Sequence, residues 1–367
     1  MGKKKIAIIG AAIFQEPAIL KAKEMGLETH VFAWAQGDPG EKLADFFYPI
    51  SIREKDEILS KCREIGIDAI VSIASDLAMT TVNYVAENMG LNGNSVQATE
   101  ISTNKHLMRE TFEKNGDPSP RSLLVDASTD LGSIGLEYPL IVKPTDRSGS
   151  RGVKKVTDAK QLRNAVYKAR EYSFENRAVV EEFIEGDEYS IEYISYHGEH
   201  RFIAATQKIT TGAPFFIETG HRQPALLDDA VVQKIKEVSE HALGSLQIEN
   251  GAAHIELKIK DGDIKIVEIG GRMGGDFIGS DLVPLSTGYD FVRAVIDVAL
   301  DRQPEIPSGK AQAHAGVNFL MEAKDIVEYR NFKEEHPGAI IKEHIDSDFS
   351  DAVTDSSNRH GYYIFRY

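Results

Sequence analysis

Sulfur, tryptophan and long apolar runs are what this chain has least of. It contains one cysteine and one tryptophan in 367 residues, and no apolar run reaches membrane-spanning length. A single thiol, Cys62, excludes a disulfide framework and a thiolate metal cluster. Positive charge is also short. Against 57 Asp and Glu stand 42 Lys and Arg, a formal net charge of −15, whereas a nucleic-acid binder needs a basic face. A phosphate ligand is not excluded, because one local basic pocket is enough for it. The start, MGKKKIAIIGAAIF, has basic residues before an apolar stretch, as signal peptides do. That stretch runs into Gln15-Glu16-Pro17, so a first β-strand is expected instead. The expectation is a cytoplasmic protein with neither membrane nor nucleic-acid partners. Internal repeats and low-complexity runs are lacking too.

What is present is ordinary globular composition, 42% apolar and 27% charged, at a length that predicts two or three subdomains. Strands are expected at Lys5–Ile9, Glu28–Ala33 and Asp68–Ile73. Between and after them Gln15–Met25, Glu54–Ile65 and Asp76–Met89 have helical spacing, stopped by Gly26, Gly66 and Gly90. This βαβ alternation implies a Rossmann-like parallel sheet over residues 1–102. A nicotinamide cofactor is disfavoured there. Gly10-Ala11-Ala12 is not G-x-G-x-x-G, and the second strand ends in Phe32-Ala33-Trp34 with no acidic residue for a ribose. After Thr103 the texture changes to longer strands with two long helical stretches, Asp158–Tyr172 and Asp229–Leu246. A further helix is read at Tyr289–Leu300, and strands and turns only from Ala311 onward.

The segment with most chemical content is His254–Arg272, HIELKIKDGDIKIVEIGGR. Two apolar runs flank Asp261-Gly262, a pair suited to a two-residue hairpin turn. Each run carries one glutamate, Glu256 and Glu268, and Arg272 follows four residues after the second. Strict pairing would put Glu268 on the apolar face. The apolar phase, however, slips from Ile264 and Ile266 to Val267 and Ile269. One extra residue, a β-bulge, would bring Glu268 to the face of Glu256, because a one-residue shift flips every side chain. Paired carboxylates then suit Mg²⁺ on a nucleotide phosphate. A surface hairpin with two solvated glutamates fits the segment equally well.

Other pieces are weaker singly. Lys143 ends the strand YPLIVKP and is followed by a loop containing Ser148, Gly149, Ser150 and Gly152, whose backbone N–H groups are free to turn around phosphate oxygens. The lysine precedes the glycines, so this is not a P-loop. Lys105 and Arg109 lie one turn apart on a helix face. The run Glu181-Glu182-Phe183-Ile184 passes into an acidic linker with Glu188, and offers a place for an adenine and a ribose. Glu218 and His221 stand three apart in a loop after Lys208, where a carboxylate and an imidazole could hold an ammonium or act as a base.

Taken in order, Lys105, Lys143, the glycine-rich loop, Glu181 to Ile184, Glu188, Glu256, Glu268 and Arg272 resemble the ATP-grasp superfamily from end to end. The resemblance implies an ATP-grasp fold of two α+β subdomains over residues 103–300, with a lid at about 121–187. Before it stands the Rossmann-like domain and after it, at 301–367, a small β-rich unit. It also implies ATP with Mg²⁺, or Mn²⁺ in its place. Lys105 and Lys143 would touch the phosphates and Ser148 to Gly152 would close over them. Glu181 to Ile184 would hold adenine, Glu188 the ribose, Glu256 and Glu268 the metal, and Arg272 the acyl-phosphate. Lys208 is a further candidate at the γ-phosphate. One position departs from the pattern: many members have E-x-N-x-R, and Gly270 replaces the asparagine, which puts a second metal in doubt.

A narrower resemblance is to the carboxylate–amine ligases that join L-amino acids. Phe216-Ile217-Glu218-Thr219-Gly220-His221 is similar to their substrate loop, and Gly270 to Gly275 to their segment near the acceptor. It implies a homodimer that activates a small-molecule carboxylate as an acyl-phosphate and couples it to an amine. Glu218, His221 and Arg272 would act on the substrates. The rivals are a carboxylase-like enzyme using bicarbonate, a ligase making another amide, and an ATP-binding regulatory protein without turnover.

Overall fold

The computed structural model describes residues 2–213, 216–308 and 310–367. Short apolar strands, most of them followed by a helix, build the N-terminal part. In chain order they are β1 (Lys5–Ile9), α1 (Glu16–Glu24), β2 (Glu28–Phe32), α2 (Pro39–Leu43), β3 (Phe46–Tyr48), α3 (Lys55–Ile65), β4 (Ala69–Val71) and α4 (Asp76–Met89). The strands are parallel in the order β3-β2-β1-β4. β1 is apolar from Ile6 to Ile9 because both its faces are covered there. Ile6 and Ile8 pack with Ala18, Ile19 and Ala22 of α1, while Ala7 and Ile9 pack with Ile58, Cys62 and Val82 of α3 and α4. Gly66 and Gly90 end their helices in the left-handed conformation that glycine adopts without Cβ strain. The three-residue edge strand β3 escaped the sequence reading, being too short to show a period.

Cys62 faces this core with no exposed surface, and burial pushes its thiol up to about 12. The thiolate is the reactive form. An aromatic disulfide reagent at pH 8 is therefore expected to leave the native protein unlabelled over an hour and to titrate one thiol in denaturant. Rapid labelling of the native form would contradict this packing.

Two helices, α5 (Val96–Thr103) and α6 (Lys105–Asn115), lead into the lid. The lid comprises β5 (Ser122–Val125), β6 (Leu140–Pro144), β7 (Lys154–Val156), α7 (Ala159–Tyr172) and β8 (Ala178–Glu182). Its antiparallel sheet has the order β5-β8-β6-β7. Alternation decides what each face does. Leu140 and Val142 join Ala178 and Val180 in the core under α7, and the opposite face presents Ile141, Lys143 and Glu181.

The largest sheet holds β9 (Asp187–Tyr196), β10 (Glu199–Thr210), β11 (Glu218–Gln223), β12 (Gly251–Lys260) and β13 (Asp263–Gly270), with α8 (Asp229–Ser245) before β12. A π-helical turn at Ile278–Leu282, α9 (Val283–Thr287) and α10 (Phe291–Ala299) follow; then come β14 (Ala315–Phe319), α11 (Asp325–Glu335), β15 (Ile340–Ile345) and β16 (Gly361–Arg366). The order is β13-β12-β9-β10-β11-β14-β16-β15, so the last three strands extend this sheet instead of forming one of their own. The expected all-strand ending is corrected by α11. That helix buries only Tyr329 and is otherwise charged or half-exposed, so it shows little helical periodicity.

Candidate active site

The β12–β13 hairpin turns through Asp261 and Gly262, both with positive φ. Leu257 pairs with Ile266, but Glu256 pairs with Glu268, which makes Val267 the extra residue of a bulge. The two glutamates therefore stand opposite each other on one face, away from the core that holds Ile255, Leu257, Ile264, Ile266 and Ile269. That face of β12 reads His254, Glu256, Lys258. All three line a cleft between the large sheet and the lid.

Every cation on the cleft wall except Arg147, which donates to the Tyr172 carbonyl, has a carboxylate within 4 Å. Lys105, the first residue of α6, donates to Glu268 Oε1 at 2.8 Å and to the Arg147 carbonyl at 2.7 Å. Lys143 Nζ is 2.8 Å from Glu181 Oε2. Arg109 Nε lies 2.9 Å from Glu181 Oε1, a charge contact without hydrogen-bond alignment, and Nη2 donates to the Val267 carbonyl at 2.6 Å. Lys208 is the most heavily bridged, at 2.8 Å from Glu188, 3.1 Å from Glu256 and 3.5 Å from Glu218. Burial opposes its charge, yet the three carboxylates hold its pKa well above the ordinary lysine range. Glu256 is the converse: burial favours the acid, and Lys208 and His254 keep it ionised. Burial prevails at Lys143, whose pKa is lowered despite Glu181.

The lid supplies the rest of the wall. In the β6–β7 loop Gly149, Ser150 and Gly152 all adopt positive φ, so the backbone doubles back on itself. Ser148, Gly149 and Ser150 reach the cleft. Ser150 Oγ donates to the Phe216 carbonyl at 3.3 Å, tying this loop to the segment before β11. Gly152 lies outside the cleft, where an added Cβ would come within 2.9 Å of Tyr172. Glu181, Glu182, Phe183 and Ile184 form the far wall, with the Glu182 carboxylate turned aside to Arg121. Glu218 reaches the cleft, and its other oxygen accepts from Ser356 at 2.5 Å. His221 does not. It pairs with Lys208 in the β10–β11 ladder but is buried edge-on against Phe319, 3.5 Å from Asp276.

Residues 136–281 match the family model for an ATP-grasp domain. The chain carries an ATP-grasp domain. An alanine–anticapsin ligase of Bacillus subtilis (strain 168) is 31% identical over 311 residues, covering 73% of this chain and 64% of that protein. The chain thus spans about two thirds of the length of that curated relative. Solved structures share the fold, among them the following two. An L-amino acid ligase from Bacillus licheniformis superposes with a TM-score of 0.83 at 24% identity, covering 100% of this chain and 94% of the other. The biotin carboxylase domain of a Hydrogenobacter thermophilus 2-oxoglutarate carboxylase, solved with MgADP, gives 0.76 at 16% identity, covering 99% and 86%.

Within this ATP-grasp cleft the donor set suits a hard divalent cation, which takes carboxylate oxygens and shares the rest of its shell with phosphate and water. Glu256 and Glu268 supply two such groups. Among the described residues no cluster of three or more His, Cys, Asp or Glu side chains is placed to hold a metal unaided. No helix among them is long and apolar enough to cross a membrane.

Four residues in or directly behind the ATP-grasp cleft were missed or discounted from sequence, Arg109 and His254 on its wall and Glu192 and Asp76 behind them. Arg109 looked like a solvated helix position and is 4% exposed. His254 lines the cleft with Nδ1 in a very short contact to Glu192, a side chain with no exposed surface. Burial would keep the imidazole neutral, but Glu192 raises its pKa to about 9. Asp76 pairs with Arg272 from α4. For His254 alone there was a signal: it sits in phase with Glu256 and Lys258.

Proposed function

We propose that this chain is an ATP-dependent ligase that activates a carboxylate as an acyl-phosphate and couples it to an amine, with amino acids as the substrate class. One observation carries the reading. Glu256 and Glu268 face each other across a bulge, and Lys105, Lys143, Lys208 and Arg272 line the same cleft. Each lysine and each of the two glutamates already has partners of opposite sign, so a triphosphate with its metal would replace those partners without stranding a buried charge. Mg²⁺, held by Glu256 and Glu268, would supply charge neutralisation at the phosphates.

The residues of the chain divide the remaining work. Lys105 and Lys143 would bind the phosphates, and the hinge at Glu181 to Ile184 with Glu188 would hold adenine and ribose. The loop from Ser148 to Gly152 would exclude water, which an acyl-phosphate requires. Arg272 would meet charge on the phosphoryl group and then on the tetrahedral oxyanion. Glu218 is the group that would orient an amino acid through its ammonium. His221 would act behind it, through the packing of β11. The amino-acid assignment draws on the alanine–anticapsin ligase, the relative at 31% identity.

An ADP-release screen with amino acids singly and in pairs, followed by mass spectrometry of products, tests the reading. ADP release that needs an amino acid, with a condensed product, is expected. Glu218→Gln should lower that release about 10- to 100-fold, while MgATP still binds. Release stimulated by bicarbonate and by no amino acid would replace this reading with a carboxylase.

A further inference from the structure

Arg272 does not hold its place alone. Its Nε and Nη2 donate to Asp76 Oδ1 at 2.9 Å and Oδ2 at 3.1 Å, a two-point fork that fixes the plane of the guanidinium. Asp76 belongs to the parallel-sheet unit, 196 residues earlier in the chain, where it opens α4. The local backbone is built to deliver it. Ala74 adopts a left-handed φ of 59°, which costs a residue with a Cβ and persists only where the surroundings enforce it. Ser75 then caps the helix by accepting from the Ala78 N–H at 3.2 Å. Both partners of the fork are largely covered, with side-chain exposures of 18% for Asp76 and 14% for Arg272.

Gly270 explains what this contact demands. A Cβ at position 270 would stand 2.7 Å from Asp76 Oδ1 and 3.3 Å from Arg272 Nε. The φ of Gly270 is not in the left-handed region, so its backbone would accept another residue. The nearest atoms in the way belong to the Asp76 carboxylate and the Arg272 guanidinium. Asp76 also borders a second depression with Lys105, Arg147 and Glu268, on the side where the phosphate-binding lysine emerges.

We propose that Asp76 is a positioning residue of the ATP-grasp site: it reaches across from the parallel-sheet unit to hold the Arg272 guanidinium in the cleft, and Asp76 and Gly270 are a matched pair. The carboxylate fills the volume that a side chain at position 270, the asparagine of many ATP-grasp sequences, would need. The inference rests on the reading of the cleft as an ATP site. Its consequence is that the first hundred residues complete the phosphoryl-transfer site instead of merely flanking it. A second consequence is reciprocal: either change alone damages the site, and the two together relieve the conflict.

The test uses the full chain and binding of MgADP with fluoroaluminate, a mimic of the transferring phosphoryl group, beside binding of MgADP alone. Asp76→Asn keeps the shape and removes the charge. It should weaken the fluoroaluminate complex by about tenfold or more, the scale of one charged hydrogen-bond pair. MgADP affinity should stay within about twofold, which also shows that the variant is folded. Gly270→Asn should weaken the complex similarly, by displacing the fork. Asp76→Ala with Gly270→Asn should bind the mimic at least about threefold more tightly than Gly270→Asn alone, a coupling outside the additivity expected of independent sites. Two results would overturn the proposal: Asp76→Asn binding the mimic as tightly as the unchanged chain, or a double variant that binds it no more tightly than Gly270→Asn alone. An unchanged chain that binds the mimic but releases ADP with no amine would sink the ligase reading and leave the Asp76–Gly270 pairing standing.

Discussion

Alanine in place of Arg272 is expected to lower amine-dependent ADP release by about 10²- to 10³-fold, the scale seen when one preorganised donor to a developing oxyanion is removed. ATP affinity should change by no more than about threefold. The asymmetry follows from where the arginine sits. Lys105, Lys143 and Lys208 line the cleft with the glycine-rich loop and the segment Glu181 to Ile184, and in the proposed reading these would supply ground-state binding of the nucleotide. Arg272 lies at the end of the hairpin strand beyond Glu268, with its guanidinium locked by Asp76. A charge that is fixed in advance acts most strongly on charge that appears only during the reaction. Burial alone would make the guanidinium less basic, but Asp76 raises its pKa above the ordinary arginine range, so it stays charged at any working pH. Single-turnover quench-flow beside equilibrium ATP binding measures both quantities. Equal losses in the two would remove the transition-state role. Lysine at 272 should recover little, since an ammonium cannot make the two-point contact with Asp76.

Most of this site was legible because its parts obey local rules. The slip from Ile266 to Val267 announces a bulge, and the bulge in turn decides that Glu256 and Glu268 share a face. The lysines at 105 and 143 and the hinge at 181–184 fall in the order that the ATP-grasp pattern requires. What could not be read are contacts made across long sequence separations. Asp76 reads as an ordinary first-turn acid of an amphipathic helix, and nothing near it names Arg272 as its partner. Glu192 lies in a strand where alternation predicts a solvated residue, but β9 is central in an eight-stranded sheet and its cleft face is covered. There the carboxylate is opposite His254 and also accepts the Gly274 N–H at 2.9 Å. His221 fails in the other direction. Its spacing from Glu218 suggested one shared site, and its ladder partner Lys208 does line the cleft, but His221 itself is buried against Phe319 and beside Asp276, so only Glu218 of the two reaches the cleft wall.

Glutamine at position 256 separates two tasks, the charge balance that the structure shows and the metal binding proposed for this carboxylate. In the structure Glu256 balances charge: Lys208 is 3.1 Å away and His254 Nε2 is 3.4 Å away. Removing the charge does not strand either neighbour, because Lys208 keeps Glu188 and Glu218 while His254 keeps Glu192. Folding stability should therefore fall by only about 1 kcal/mol, well short of the roughly 3–5 kcal/mol expected when a buried charge loses its sole partner. The proposed metal would have no such reserve, since Glu268 is the one other carboxylate opposite Glu256 in the hairpin. The Mg²⁺ concentration for half-maximal turnover should rise about 10- to 100-fold, the range seen when groups around a metal are altered. Turnover at saturating metal should fall by at least about 10²-fold. Thermal denaturation, a Mg²⁺ titration of ADP release and Mn²⁺ binding followed by electron paramagnetic resonance measure the three effects separately. Loss of activity with unchanged metal dependence would show that Glu256 serves Lys208 and not the ion. The paired glutamates would then be a device for holding the lysine, and Glu268 would have to carry the metal alone.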